Sequence, residues 1–324
     1  AVMRLGTSDA AVRATAEHNT RAAAERVVAA FADRGSEDGV AGVLADIAKI
    51  PLSKPTRAAL EAFGWSELGR LRAQKGDLEG TLAAIDRGLE AELGAGDAHL
   101  ALVLRENRYA TLRRFALSTA KAGQLERSLE LVRRLEALPG LSATQKQEAT
   151  RDRSRVLQVG AEARMGAGDL AGAVALYRQA YALEPDDETA RHNLVAGLQR
   201  LTIDAVNAGR CAEVRDALQE IRRAAPRDPY ADKAEARCLL LEASARLDAD
   251  DPAGAVDRLR AAARLRPDDA TVRTNLGLGL LAWARAHVLA RRCADARPLL
   301  DEARKLGAQT APIEGAYAKA CRGS

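Results

Sequence analysis

Aromatic residues are scarce: the 324 residues include two Trp, five Tyr and three Phe, 3% in all. Sheets draw on aromatic and β-branched side chains, and no run rich in Val, Ile, Thr and Tyr occurs. A sheet protein is therefore not expected. Long apolar runs are also missing. A bilayer-spanning helix needs about 20 apolar residues, and the most apolar stretch, Leu276 to Ala290, falls short and carries Arg285 and His287. A membrane-spanning segment is not expected, and no secretory n-region and h-region opens the chain. Charge of one sign is not concentrated anywhere: 49 basic and 45 acidic residues interleave to a net +4. Phosphate neutralisation wants basic residues gathered on one face, so a nucleic-acid partner is not expected.

Signatures of chemistry are missing too. There is no glycine-rich phosphate loop, no H-E-x-x-H pair and no nucleophile elbow. His18, His99, His192 and His287 are scattered, with neither metal-ligand spacing nor a Ser or Cys partner. The expectation is no catalytic residue, no cofactor and no metal. The alternative is an enzyme whose site is assembled from scattered helical residues, which a deep pocket with clustered acids or histidines would reveal.

What is present is repetition. Hydrophobic content is 47%, carried mostly by Ala and Leu, which are strong helix formers, as are the abundant Arg and Glu. Gly168-Asp169-Leu170-Ala171-Gly172-Ala173-Val174 recurs 82 residues later as Asp250-Asp251-Pro252-Ala253-Gly254-Ala255-Val256. At the same offset, Arg191-His192-Asn193-Leu194 recurs as Arg273-Thr274-Asn275-Leu276, and Gly209-Arg210-Cys211 as Arg291-Arg292-Cys293. Halving the offset also works, since Ala173, Val214, Ala255 and Ala296 stand 41 apart within apolar helical patterns. Such a period signals stacked helical units forming one continuous body.

In chain order, 10–32 has apolar residues at helical spacing, and Ser36 is placed to cap a second helix over 37–50 that Pro51 stops. Next comes Trp65-Ser66-Glu67-Leu68-Gly69, then Gly76-Asp77-Leu78, with Thr81, Ile85 and Gly88 beyond. Farther on, Ala173, Tyr177, Ala180 and Pro185 keep the spacing A-x3-Y-x2-A-x4-P, and Ser142 and Gln145 stand in capping-box spacing. These segments resemble the tetratricopeptide repeat, whose first helix reads W-x2-L-G-x2-Y; Arg72 occupies the Tyr position. The resemblance covers about 57–307 and implies an all-α, right-handed solenoid of antiparallel helix hairpins. Residues 1–56 would form a degenerate hairpin, 57–308 six repeats and 309–324 a capping helix. The period is mostly 41 residues rather than the family's 34, which places seven extra residues on each first helix. A HEAT or armadillo solenoid, with periods near 40–47, is the competing reading.

Cys211 and Cys293 occupy matching places, and each is followed 27 or 28 residues later by another cysteine, Cys238 or Cys321. The chain between holds the rest of one helix, a turn and part of the next helix. At about 1.5 Å rise per residue, both partners come to similar heights on adjacent antiparallel helices. Disulfides Cys211–Cys238 and Cys293–Cys321 are expected, and with them an oxidising compartment such as a periplasm or the cell exterior. The alternatives are small buried thiols copied by duplication and a cytoplasmic location.

Arg105 and Asn107, Arg191 and Asn193, and Arg273 and Asn275 form three Arg-x-Asn units near the starts of long first helices. The tetratricopeptide resemblance implies that such asparagines face a concave groove and hydrogen-bond an extended peptide, with the arginines attracting carboxylates. The competing reading makes them solvated helix starts. Asp186-Asp187, Asp250-Asp251 and Asp268-Asp269 are expected to cap helices, and Trp65 and Trp283 to lie in the core. Together these readings describe a non-catalytic scaffold that binds a protein or peptide partner, in assembly of a bacterial envelope complex. A self-associating scaffold and a sensor module of a signalling protein are the alternatives.

Overall fold

The computed structural model describes residues 10–96 and 98–321, and every regular element among them is helical. The helices are α1 (Ala10–Asp33), α2 (Glu37–Ile47), α3 (Lys54–Gln74), α4 (Leu78–Ala95), α5 (Ala98–Lys121), α6 (Leu125–Glu136) and α7 (Ala143–Gly166). They continue as α8 (Leu170–Leu183), α9 (Glu188–Asn207), α10 (Arg215–Ala224), α11 (Tyr230–Asp248), α12 (Pro252–Leu265), α13 (Ala270–Leu289), α14 (Cys293–Lys305) and α15 (Ala311–Ala320). A short 3-10 turn, Cys211–Val214, leads into α10. The fold is an all-α solenoid of antiparallel hairpins. The chain divides into two compact units, Ala1–Gly160 and Ala161–Ser324.

Four of the second helices each touch two first helices. In the first unit α2 packs on α1 and α3, and α4 on α3 and α5. In the second, α10 packs on α9 and α11, and α12 on α11 and α13. The first helices of the hairpins from α3 onward run 19 to 24 residues, so the added repeat length lies there.

Turn chemistry sets the hairpins. Asp77, Asp169 and Asp251 each accept the amide of the glycine three residues on, Gly80, Gly172 and Gly254, at 2.9 Å. Asp187 and Asp269 cap α9 and α13, Ser36 caps α2, and Ser142 and Gln145 bond reciprocally as a capping box. The residue that reverses the chain is left-handed in four turns spaced 41 apart: Gly168 (φ 84°), Gly209 (φ 73°), Asp250 (φ 55°) and Arg291 (φ 55°). Only glycine adopts this conformation without steric cost, so the last two turns are strained versions of the first two.

Arg72, at the family's Tyr position, does a different job. Its guanidinium meets Glu37 at 3.1 Å and donates to Gly80 O at 3.1 Å, tying α3 to α2 and to the following turn. Lys75 reaches the same carboxylate at 2.8 Å, and the two cations, Lys75 foremost, hold Glu37 below the usual carboxylate pKa. The matching arginines later in the chain also serve the turn: Arg164 lies 3.5 Å from Asp169 and Arg246 2.6 Å from Asp251. At Gly69 a Cβ would stand 3.4 Å from Ile85 and 3.6 Å from Ala84, ordinary van der Waals distances, so the α3–α4 crossing does not require glycine there.

Two boundaries differ from the sequence reading. α2 stops at Ile47, where Ala48 begins a closing turn. Cys211 starts a 3-10 turn rather than a helix. The tryptophans are only half-buried at the core edge. Arg87 lies 4.7 Å over the Trp65 ring, a cation–π contact that keeps the indole partly open.

Candidate binding groove on the first helices

Helical periodicity puts residues three and four apart on one face. On α3 that face is Phe63, Ser66, Arg70 and Ala73; on α5 it is Leu100, Val103, Asn107, Ala110 and Arg114. The two faces meet over Thr81 and Ile85 of α4 and enclose a hollow of about 460 Å³. Phe63, Ile85, Leu100 and Val103 supply apolar surface, while Ser66, Arg70, Asn107 and Arg114 supply polar groups. Arg114 donates to Ala73 O at 2.7 Å, which fixes the guanidinium across the groove and leaves further N–H donors. Arg70 is held by Glu67 at 2.8 Å. An extended peptide would find here apolar contact for side chains, an amide with both donor and acceptor, and fixed cationic donors.

Next to the groove, α5 and α7 are joined by a polar network. Arg113 stands 2.5 Å from Asp152, whose side chain is almost wholly buried, and 3.4 Å from Glu148. Tyr109 donates to Glu148 at 3.0 Å. Burial first, then that carboxylate, push the Tyr109 hydroxyl up to about 12, while the hydrogen bond to Asp152 raises Arg113 further.

The six Arg-x-Asn residues do not share one environment. Asn107 lines the α3–α5 groove, while Arg105 is exposed outside its lining. Arg191 borders a separate hollow of about 760 Å³ between the start of α9 and the end of α10, with His192, Val195, Pro226 and Arg227. Asn193 is half-buried beside it. Asn275 is also half-buried and donates to Thr271 O at 2.8 Å, so its amide serves its own helix. Arg273 is exposed. The groove residues not picked out from sequence are Phe63, Arg70, Val103 and Arg114; their 3–4 spacing was visible, but the face carrying them was not fixed.

The four cysteines form two pairs, both in the second unit. Cys211–Cys238 joins the 3-10 turn to α11 with Cα atoms 5.6 Å apart, and Cys293–Cys321 joins α14 to the end of α15 at 5.9 Å. Among the described residues, no group of three His, Cys, Asp or Glu is placed to hold a metal ion, and no helix is long and apolar enough to cross a membrane.

No family model and no curated protein matches the chain. Solved structures do. A tetratricopeptide repeat protein from Parabacteroides merdae is 15% identical, covers 94% of this chain and 99% of its own, and has a TM-score of 0.27. The TPR2AB domain of yeast Sti1, in its pHSP90 complex, is 14% identical, covers 80% and 98%, and has a TM-score of 0.26. PilF of Pseudomonas aeruginosa is 11% identical, covers 78% and 95%, and has a TM-score of 0.25. The chain's own hairpins, caps and repeat spacing make the fold an all-α solenoid of helix hairpins that resembles the tetratricopeptide array.

Proposed function

We propose that the chain is a non-catalytic scaffold that binds an extended peptide segment of a protein partner in the groove between α3 and α5. The observation that carries this reading is the groove itself, with apolar contact from Phe63, Ile85 and Val103 beside a fixed donor on Arg114 and the amide of Asn107. Within it, 1–56 acts as a degenerate hairpin, 57–308 as six repeats and 309–324 as the cap. We place the scaffold in assembly of a bacterial envelope complex, because both cysteine pairs stand at disulfide distance and disulfides persist in oxidising compartments. Thiol trapping in intact source cells tests the compartment: two oxidised pairs support it, and four free thiols contradict it.

Peptide selection on the intact chain tests the groove. The selected peptide should lose at least about tenfold affinity for Val103→Arg, which fills the hollow, and severalfold for Asn107→Ala, which removes one amide. Undiminished binding to both variants refutes the groove. A second reading, self-association, has one specific observation behind it: Leu278 and Leu289 of α13 are 56% and 75% exposed. Sedimentation of wild type against Leu278→Glu/Leu289→Glu decides it, since a concentration-dependent mass that the variant abolishes favours that reading.

A further inference from the structure

The two disulfides sit at matching places in the repeat but hold unequal helices. α11 has 19 residues, buries Ala231, Ala234, Ala236, Cys238 and Ala243, and is packed by α12 and α13. α15 has ten residues and buries none of them. It rests on α13 and α14 through half-buried Ile313 and Tyr317, which pack against the apolar cluster around Leu280 and Leu299. An ion pair between Arg304 and Glu314 also holds it, with Thr310 donating to the same carboxylate at 3.0 Å. Helices shorter than about 12–15 residues are marginal in water without such support. The cysteines differ in access as well: Cys238 is 5% exposed while its partner Cys211 is half-buried, so the first bridge offers one accessible side, whereas Cys293 and Cys321 are both half-buried and the second bridge offers two. Thiol–disulfide exchange requires a thiolate to reach one of the two sulfurs.

We propose that Cys293–Cys321 is a reducible latch on α15, and that Cys211–Cys238 is a permanent staple. A dithiol reductant attacks this more accessible pair through one thiolate, forming a mixed disulfide and releasing one cysteine thiolate. The second thiol of the reductant then closes on the first sulfur. The products are two protein thiols, at Cys293 and Cys321, and one disulfide on the reductant, so two electrons and two protons have moved to the protein. With the latch open, α15 leaves α13 and α14, and the surface covered by Ile313 and Tyr317 becomes available. α11 stays in place on reduction because its own packing holds it. The latch makes the C-terminal end of the second unit a redox-sensitive surface.

Graded reduction of the full chain with dithiothreitol, quenched by alkylation and read by peptide mass spectrometry, tests the order of opening. Cys293 and Cys321 should label before Cys211 and Cys238; simultaneous labelling of all four overturns the proposal. Hydrogen–deuterium exchange tests the consequence. In the partly reduced chain, peptides over 311–320 should exchange at least about tenfold faster, with those over 230–248 changed less than about twofold. Unchanged protection of α15, or equal loosening of both helices, contradicts the latch. The Cys293→Ser/Cys321→Ser variant should reproduce the open state without reductant, and wild-type reduction carries the test alone if that variant fails to fold.

Discussion

In the unit spanning 1–160, neighbouring helices are tied by charge: Glu37 of α2 to Arg72 and Lys75 at the end of α3, and Asp152 and Glu148 of α7 to Arg113 of α5. The unit spanning 161–324 also ties neighbouring helices by charge, Arg222 of α10 to Asp232 of α11 at 2.9 Å and Arg258 of α12 to Glu242 of α11 at 3.3 Å, and links second helices by two pairs that repeat 82 residues apart, Arg178 with Glu220 at 2.7 Å and Arg260 with Glu302 at 2.5 Å. There, all four cysteines add covalent ties. The two units solve one problem differently. A stacked hairpin touches only its neighbours, so each junction needs its own fastening. The first unit fastens with charge, the second with charge and with a bond that responds to reductant.

That contrast predicts separable responses. The largest effect should come from sulfur. Closing a loop of 27 residues removes denatured-state entropy worth about 3–4 kcal/mol in the chain-entropy model. Cys211→Ser/Cys238→Ser should therefore lower the Tm of the second unit by roughly 10 °C and leave the first unit's transition in place. Scanning calorimetry checks this, and a shift shared equally by both units would blur the contrast. Next, Arg113→Ala leaves the Asp152 carboxylate buried and unpaired, with an expected cost of about 2–3 kcal/mol. Adding Asp152→Asn should recover most of that loss in urea titrations, and no recovery would mean that Arg113 acts through packing alone.

A smaller effect is set by pH. The Tyr109 hydroxyl is raised to about 12 in the folded chain, against about 10 for an unperturbed tyrosine. Because the neutral phenol is the favoured form, its stabilising contribution is complete below about pH 10 and is lost as pH rises through 12. Phenolate absorbance should show one tyrosine ionising late, and Tyr109→Phe should remove that step; its persistence in the variant would reassign it. The smallest effect is a gain. Arg291 holds a left-handed turn that Gly168 and Gly209 fill without strain, so Arg291→Gly should stabilise the second unit by about 1 kcal/mol, visible as a modest rise in Tm.

How much of this was legible in the sequence depended on whether the signal was periodic. The hairpins follow from the 41- and 82-residue repetition, the caps from Asp and Ser placement, and the cysteine pairs from their matched spacing on antiparallel helices. The register of the long first helices was harder. The seven added residues obscured which turn of α5, α9 and α13 faces inward, so Asn107 came to the groove while Asn275 turned to Thr271 O. Arg72 read as a defect in the motif because its partner, Glu37, lies a hairpin away. The recurring Arg178–Glu220 and Arg260–Glu302 pairs could have been found, since both members repeat at the 82-residue offset.

The central claim is that the α3–α5 groove is the recognition surface. Hydrogen–deuterium exchange of the intact chain, with and without a saturating peptide selected on it, tests this most directly. The account predicts new protection over 63–73 and 100–114, with the outer face of α6 around Glu130 unchanged. Protection falling on α6, or on the first helices of the second unit alone, would contradict it.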